Sequence, residues 1–295
     1  MLKKKRLLAI VAALVLLLTV LLVRTFTPSG DQSAGEAFEF RPDSNRVTRL
    51  MSESVRFETI SFGRDKPTSA KQLLAYHDYL EQQFPLVHKT LKREVIADYS
   101  LLYTWQGTAP VSDDNKPVIL LGHLDVVPVV PGTEDRWKHP PFEGVVADGF
   151  IWGRGTLDNK VNIVGLLEAA ENMLQQGLQP ARTIYFAFGH DEEQGGIDGA
   201  KVMADVLLKR GVQAEFLVDE GGLVTQGVVP GIDAPMALIA PAEKGIVTLQ
   251  LKVVGEGGHS SMPPEQTSIG ILAAAIAALE ADQFPRDFSH TQSFL

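Results

Sequence analysis

An imidazole and a carboxylate stand two residues apart at the end of one short apolar run. The run Val118–Leu121 is followed by Gly122, His123 and, two positions later, Asp125. A short block of branched aliphatic residues is typical of a strand covered on both faces of an α/β sheet. Side chains two positions apart in an extended chain point to the same side, so Asp125 could accept a hydrogen bond from one ring nitrogen of His123 while the other binds a metal. Taken alone, this pattern is more typical of a turn with a solvated histidine.

Two later apolar runs also end in acidic residues. Thr183–Phe188 leads into Glu192 and Glu193, and Glu215–Val218 leads into Asp219. Open α/β sheets bind ligands at the carboxyl ends of their strands. We therefore expect these side chains to gather at one edge of a sheet.

Asp158 precedes a predicted helix, Val161–Gln176, and by itself is equally typical of an ordinary N-cap. Two divalent ions about 3.5–4 Å apart need terminal ligands, a carboxylate that bridges them and a base for the attacking water. Most of these groups are supplied by a set of residues with Asp125 behind it, namely His123, Asp158, Glu192, Glu193 and Asp219.

Composition narrows the functional class. The 295 residues contain no cysteine, so a metal site must use His, Asp and Glu, and no cysteine nucleophile is available. Acidic residues outnumber basic ones by 36 to 27, for a net charge of −9. A basic surface for nucleic acid is therefore not expected.

The amino terminus predicts a membrane anchor. Lys3–Arg6 is basic and Leu7–Val23 is apolar apart from Thr19. A cleaved signal peptide is the alternative, but no small-x-small cleavage site follows. The positive-inside rule places the rest of the chain on the non-cytoplasmic side, in a periplasm, lumen or extracellular space. We thus predict a transmembrane signal-anchor at 1–26 and a polar tether at 27–41.

Strands and helices are predicted to alternate after the tether, as in an α/β sheet. Helices are expected at Asp43–Phe57, Thr68–Phe84 (closed by Pro85), Val161–Gln176, Ile197–Arg210 and Thr267–Glu280. A strand is expected at Tyr99–Trp105 and another at Gly245–Val253. Asp148-Gly149 between two short apolar segments predicts a β-hairpin, Val145–Ala147 with Phe150–Trp152.

Five motifs together resemble the M20 metallopeptidases, in particular the carboxypeptidase S and N-acyl-amino-acid hydrolase branch. They are Gly122–Pro128, Trp137–Phe142, Gly153–Lys160, Asp191–Glu193 and Asp219–Gly222. The resemblance covers roughly residues 45 to 285. It implies a zinc-exopeptidase-like mixed sheet flanked by helices at 42–240. It also implies the start of a smaller α+β lid domain at 241–295, through which a homodimer would form.

The resemblance implies two zinc ions, with cobalt or manganese as substitutes. His123 and Asp219 resemble the ligands of one ion, Glu193 a ligand of the other, and Asp158 the carboxylate that bridges them. The family commonly has a cis peptide after the bridging residue, here Asp158-Asn159.

The resemblance also implies the catalytic roles. Glu192 resembles the general base that activates a metal-bridging water, and Asp125 the residue that orients His123. His259 resembles a histidine that stabilises the oxyanion, often in the active site of a dimer partner. The expected reaction is hydrolysis of an amide bond.

Three functions remain open. The first is carboxypeptidase-type cleavage of short peptides, and the second is hydrolysis or synthesis of N-acyl amino acids. The third is a catalytically deficient membrane-tethered fragment or binding protein, because relatives carry a further metal-binding histidine after the lid, whereas this sequence ends at Leu295.

Overall fold

A computed structural model describes residues 2–26, 42–63, 69–241, 243, 245–255, 257–285 and 287. The chain divides into two units, residues 1–50 and 51–295. The predicted tether, 27–41, lies outside the described residues.

The first unit contains helix α1 (Leu2–Phe26) and the beginning of α2 (Ser44–Val55). Asp43 caps α2, since its Oδ1 accepts hydrogen bonds from the main-chain N–H groups of Asn45 (3.0 Å) and Arg46 (3.2 Å). Where side chains are described, no helix combines the length and the apolar character that crossing a membrane requires. The N-terminal anchor predicted from the sequence is therefore not supported.

The second unit is a mixed α/β structure, as predicted. Its strands are β1 (Lys92–Ile96), β2 (Ser100–Trp105), β3 (Val118–His123), β4 (Val145–Ala147), β5 (Phe150–Trp152), β6 (Ile184–Gly189), β7 (Phe216–Val218), β8 (Val224–Thr225) and β9 (Met236–Ala237). Its helices are α3 (Ala70–Gln83), α4 (Pro85–Thr90), α5 (Lys160–Gln175), α6 (Ala200–Lys209) and α7 (Ser268–Ala281).

The main sheet has the strand order β1-β2-β6-β3-β7. Strands β6, β3 and β7 are parallel, whereas β1 and β2 run antiparallel to their neighbours. In the ladder of β3 with β6, His123 is opposite Gly189. The carboxyl ends of the three parallel strands therefore meet at one edge, where the candidate ligands follow them.

Helices cover both faces of this sheet because its side chains alternate between two apolar layers. On one face, Leu102 and Ala187 pack against Met203 and Leu207 of α6. On the other face, α5 lies against β3, and Gly122 leaves room for the buried Ile163. The sheet is thus held between α5 and α6, which fixes the edge that bears the site.

The predicted hairpin is confirmed. Val145 pairs with Trp152 across β4 and β5, and the turn residues Asp148 and Gly149 have φ angles of 55° and 80°. Positive φ at both positions is the pattern of a type I′ turn. The hairpin leads directly into the segment that carries Asp158.

The predicted end of a helix before Pro85 is confirmed, since α3 ends at Gln83 with Phe84 as its C-cap. Pro85 then begins the separate helix α4, because proline suits the first position of a helix and the carboxylate of Glu171 accepts from the N–H groups of Leu86 (3.1 Å) and Val87 (2.9 Å). One prediction of local structure is wrong. Gly245–Val253 is not a strand, since no described segment pairs with it. Helix α7 forms as predicted, with Thr267 as its N-cap (3.1 Å to the N–H of Gly270).

Candidate metal centre

His123 ends β3 and is almost completely buried, with 2% of its side chain exposed. Its Nδ1 lies 3.0 Å from the main-chain oxygen of Asp125 and 3.3 Å from the Oδ1 of that residue. These contacts hold the ring so that Nε2 points away from Asp125. One ring nitrogen is therefore held by Asp125, and the other faces the carboxylates of neighbouring segments.

Three carboxylates surround this second nitrogen. Nε2 lies 2.9 Å from Asp158 Oδ1, 3.5 Å from Glu220 Oε2 and 3.9 Å from Glu192 Oε2. Three acidic side chains thus converge on one nitrogen of a buried imidazole.

Asp158 reaches this point from the segment before α5. The peptide bond between Asp158 and Asn159 is cis, as the resemblance implied. Asn159 is buried, and its Oδ1 accepts a hydrogen bond from the main-chain N–H of His123 (3.3 Å). Its Nδ2 donates to the carboxylate of Glu220. Asn159 therefore connects the end of β3 with the residues that follow β7.

Among the described residues, two groups of three ligand atoms lie close enough to hold a metal ion. One is His123 with Glu192 and Glu193, and the other is His123 with Asp158 and Glu220. Within each group the atoms lie within 4.8 Å of one another. Nitrogen and carboxylate oxygen donors of this kind suit zinc, cobalt or manganese.

The charges around His123 perturb its pKa. Burial lowers the pKa, but the hydrogen bond and charge of Asp125, followed by the charges of Glu220 and Glu192, outweigh burial and raise it to about 10. In the absence of metal the ring therefore carries a proton near neutral pH. A cation could replace that proton among the same carboxylates.

The two adjacent glutamates also have raised pKa values. Burial is the largest cause at Glu193, and the nearby charge of Asp158 adds to it, so that the pKa of Glu193 rises to about 7. Burial likewise raises the pKa of Glu192; the charge of His123 lowers this pKa, and the charge of Glu220 raises it further. Carboxyl groups with raised pKa values are frequent where acid-base chemistry occurs.

Asp125 holds the Glu192–Glu193 turn as well as His123. Its carboxylate is fully buried, and its Oδ1 accepts from the N–H of Glu192 (3.1 Å) while its Oδ2 accepts from the N–H of Glu193 (3.2 Å). The hydroxyl of Ser61 also donates to Oδ2 (2.7 Å). A single side chain therefore fixes both the imidazole and the pair of glutamates.

Two residues expected at the site are not brought to it. Asp219 belongs to neither group of potential ligands; its Oδ1 accepts from the N–H of Glu220 (2.9 Å), and it lines a cavity of about 250 Å³ between β3, β7 and α5. His259 is exposed, and its Nδ1 lies 2.9 Å from the hydroxyl of Ser261.

Glu220, Asn159 and Ser61 were not singled out from the sequence. Glu220 is adjacent to Asp219, and the pattern after a short strand does not decide which of two neighbouring acids turns toward the site. Asn159 follows Asp158 directly, and in the sequence it stands out only through the peptide bond that joins the two residues. Ser61 has no local signal, because its partner Asp125 is far away in the chain.

The profile of a family described as Peptidase family M20/M25/M40 matches residues 119–293. A probable carboxypeptidase S-like 2 of Dictyostelium discoideum is 43% identical over 238 residues, which cover 79% of this chain and 45% of that protein. The N-fatty-acyl-amino acid synthase/hydrolase PM20D1 of Xenopus tropicalis is 39% identical over 291 residues, or 96% of this chain and 55% of that protein.

Carboxypeptidase S of Saccharomyces cerevisiae is 36% identical over 279 residues, which cover 90% of this chain and 47% of that protein. The chain thus spans about half the length of the curated relatives it matches.

Proposed function

Because the chain belongs to the M20/M25/M40 family of peptidases, we propose that the protein hydrolyses an amide bond at a metal centre built on His123. The observation that carries this proposal is the convergence of three carboxylates on Nε2 of a buried imidazole. A structural histidine would satisfy both ring nitrogens with one or two partners, whereas here Nε2 faces three acids from three different segments.

Zinc is the proposed metal, held as two ions. Because Asp125 holds Nδ1, His123 would offer only Nε2 and so would serve one ion, while Glu193 would serve the other and Asp158 would contribute to both. Asp219 is the expected fourth ligand, and Glu220 is a second candidate because its Oε2 lies 3.5 Å from Nε2. Zinc content after Asp219→Asn and after Glu220→Gln separates these two assignments.

Zinc bound there would acidify a water and polarise the carbonyl of the substrate amide. Glu192 is the proposed general base: it takes the proton of that water and delivers it to the departing amine. Half of its side chain is exposed, so a substrate can reach it, and its raised pKa brings it nearer to neutral pH, as proton transfer in both directions requires. His259, presented on an exposed loop and expected to act in the site of a dimer partner, is the proposed donor to the oxyanion.

Glu192→Gln tests the base. The substitution keeps size and removes the ability to take a proton, so we expect turnover to fall by about 100-fold or more with zinc content unchanged. The measurements are steady-state kinetics and metal analysis of the same preparation. If zinc and activity are lost together, Glu192 is a ligand and the base is elsewhere.

The proposed substrate class is short peptides with a free carboxyl end, supported by similarity to carboxypeptidase S and carboxypeptidase S-like 2. N-acyl amino acids are the second candidate, supported by the match to the N-fatty-acyl-amino acid synthase/hydrolase over 96% of this chain. Comparing kcat/KM on a dipeptide panel and an N-acyl amino acid panel distinguishes them. Zinc binding without hydrolysis of either panel would instead favour a binding protein.

A further inference from the structure

Residues 59–61 form a short extended segment beside the chain that leaves β3. The N–H of Val126 donates to the oxygen of Thr59 (3.0 Å), and the N–H of Ser61 donates to the oxygen of Val126 (3.0 Å). Ile60 and Val126 form a parallel bridge. The segment is thus fixed against the loop that carries His123 and Asp125.

Ser61 uses its side chain toward that loop. It is 2% exposed, and its hydroxyl donates to Asp125 Oδ2 at 2.7 Å. A bond from a hydroxyl to a buried carboxylate is charge-assisted and strong. The oxygen of Ser61 also accepts from the side-chain amide of Gln194 (3.4 Å), which lies in the turn that begins at Glu192.

The carboxylate of Asp125 transmits this contact in two directions. One oxygen lies next to His123 Nδ1, and the two oxygens together accept the N–H groups of Glu192 and Glu193. Asp125 is 0% exposed, so water cannot replace a lost donor without a rearrangement. Removing the hydroxyl of Ser61 would free the carboxylate to rotate, and both sets of contacts would loosen.

We propose that Ser61 is a positioning residue that holds the Asp125 carboxylate, and through it both the imidazole of His123 and the Glu192–Glu193 turn. The catalytic consequence of this proposal rests on the proposed function, whereas the geometric consequence does not.

The matched substitutions are Ser61→Ala and Thr59→Val. Thr59 is also buried in the same segment, but its hydroxyl donates to the main-chain oxygen of Leu124 (2.6 Å) rather than to the carboxylate. Both changes remove one buried hydroxyl. Only Ser61→Ala takes a donor from Asp125, whereas Thr59→Val takes one from the oxygen of Leu124. Ser61→Thr keeps a hydroxyl that can donate to Asp125.

The first measurement is amide hydrogen exchange of the metal-free, full-length protein. We expect exchange at the N–H groups of Glu192 and Glu193 to be about 10-fold faster in Ser61→Ala, close to wild type in Thr59→Val, and largely restored in Ser61→Thr. Unchanged exchange in Ser61→Ala, or equal acceleration by Thr59→Val, would overturn the proposal. This measurement needs neither metal nor substrate.

The second measurement is zinc affinity by competition with a chelator, together with kcat and KM. Changes behind a ligand typically cost 10–100-fold in metal affinity or activity, so we expect about 10-fold weaker zinc binding for Ser61→Ala, with kcat reduced and KM little changed. Faster exchange in Ser61→Ala with wild-type zinc affinity would overturn the link to His123. If the wild-type protein binds no zinc while the exchange result holds, the proposed function fails and the positioning role of Ser61 stands.

Discussion

Replacing Asp125 by asparagine should destabilise the second unit far more than the same change at a neighbouring buried aspartate. Each oxygen of the Asp125 carboxylate accepts a main-chain N–H, from Glu192 on one side and Glu193 on the other. An asparagine in either orientation places its NH₂ group against one of these donors. Since an N–H cannot accept, one buried donor loses its partner whichever way the amide turns.

The magnitude follows from these contacts. A buried N–H without an acceptor costs about 1–3 kcal/mol. The bonds that remain, including that from Ser61, become neutral and lose roughly half their strength, which adds about 1 kcal/mol. The free energy of unfolding should therefore fall by about 2–4 kcal/mol, and the midpoint of thermal unfolding by about 5–15 °C for a unit of this size.

Asp191 is the matched control. It is also buried, and its Oδ2 accepts from the N–H of Asp198 (2.8 Å), but its Oδ1 has no hydrogen-bond partner in the described structure. The NH₂ of Asp191→Asn can occupy that position without facing a donor, so we expect a loss below about 1 kcal/mol. Urea unfolding of both metal-free variants measures the difference. Losses equal within about 0.5 kcal/mol would refute the account of how Asp125 is held.

Two further predictions concern backbone geometry and pH. A side chain on Gly144, which has φ +58°, would place its Cβ 2.0 Å from the main-chain oxygen of Ser52, whereas Gly149 has φ +80° and no atom within 4 Å of such a Cβ. Gly144→Ala should therefore lower the free energy of unfolding, measured in urea, by at least about 3 kcal/mol, and Gly149→Ala by about 1 kcal/mol. Similar losses in the two variants would contradict the close approach of Gly144 to Ser52. The pKa of His123 is raised from 6.5 to about 10, so in the metal-free protein its contribution to stability is complete below about pH 6.5 and is lost as the pH rises toward 10. The difference in free energy of unfolding between wild type and His123→Asn should therefore become smaller from pH 6 to pH 10. A difference that stays constant over this range would argue against the raised pKa.

The central elements of the fold follow from local sequence. The apolar runs before His123 and Glu192 become the neighbouring parallel strands β3 and β6, and Asp148-Gly149 forms the expected turn. Local patterns fail where pairing depends on distant residues. Lys92–Ile96, too polar to predict as a strand, pairs with β2, whereas the alternating segment Gly245–Val253 pairs with no described strand.

Part of the site can likewise be predicted from local sequence, and part of it cannot. His123, Asp125 and Asp158 come together because each lies at the end of an element whose identity is local. The choice between Asp219 and Glu220 is not local, because it depends on the direction in which the chain turns after β7. The glutamate lies next to His123, and Asn159 donates to its carboxylate.

The sequence by itself determined which groups can do chemistry, since three apolar runs each lead into histidine or acidic residues and five spaced motifs together resemble the family. Only the tertiary structure decided how those groups are held. The hydroxyl of Ser61 meets Asp125 because residues 59–61 lie beside the exit of β3, and the N–H groups of Glu192 and Glu193 meet the same carboxylate because β6 lies parallel to β3. Hydrogen bonds between segments distant in the chain leave no periodic trace in it, and therefore the geometry that sets the pKa and the orientation of His123 emerges only when the sheet has formed.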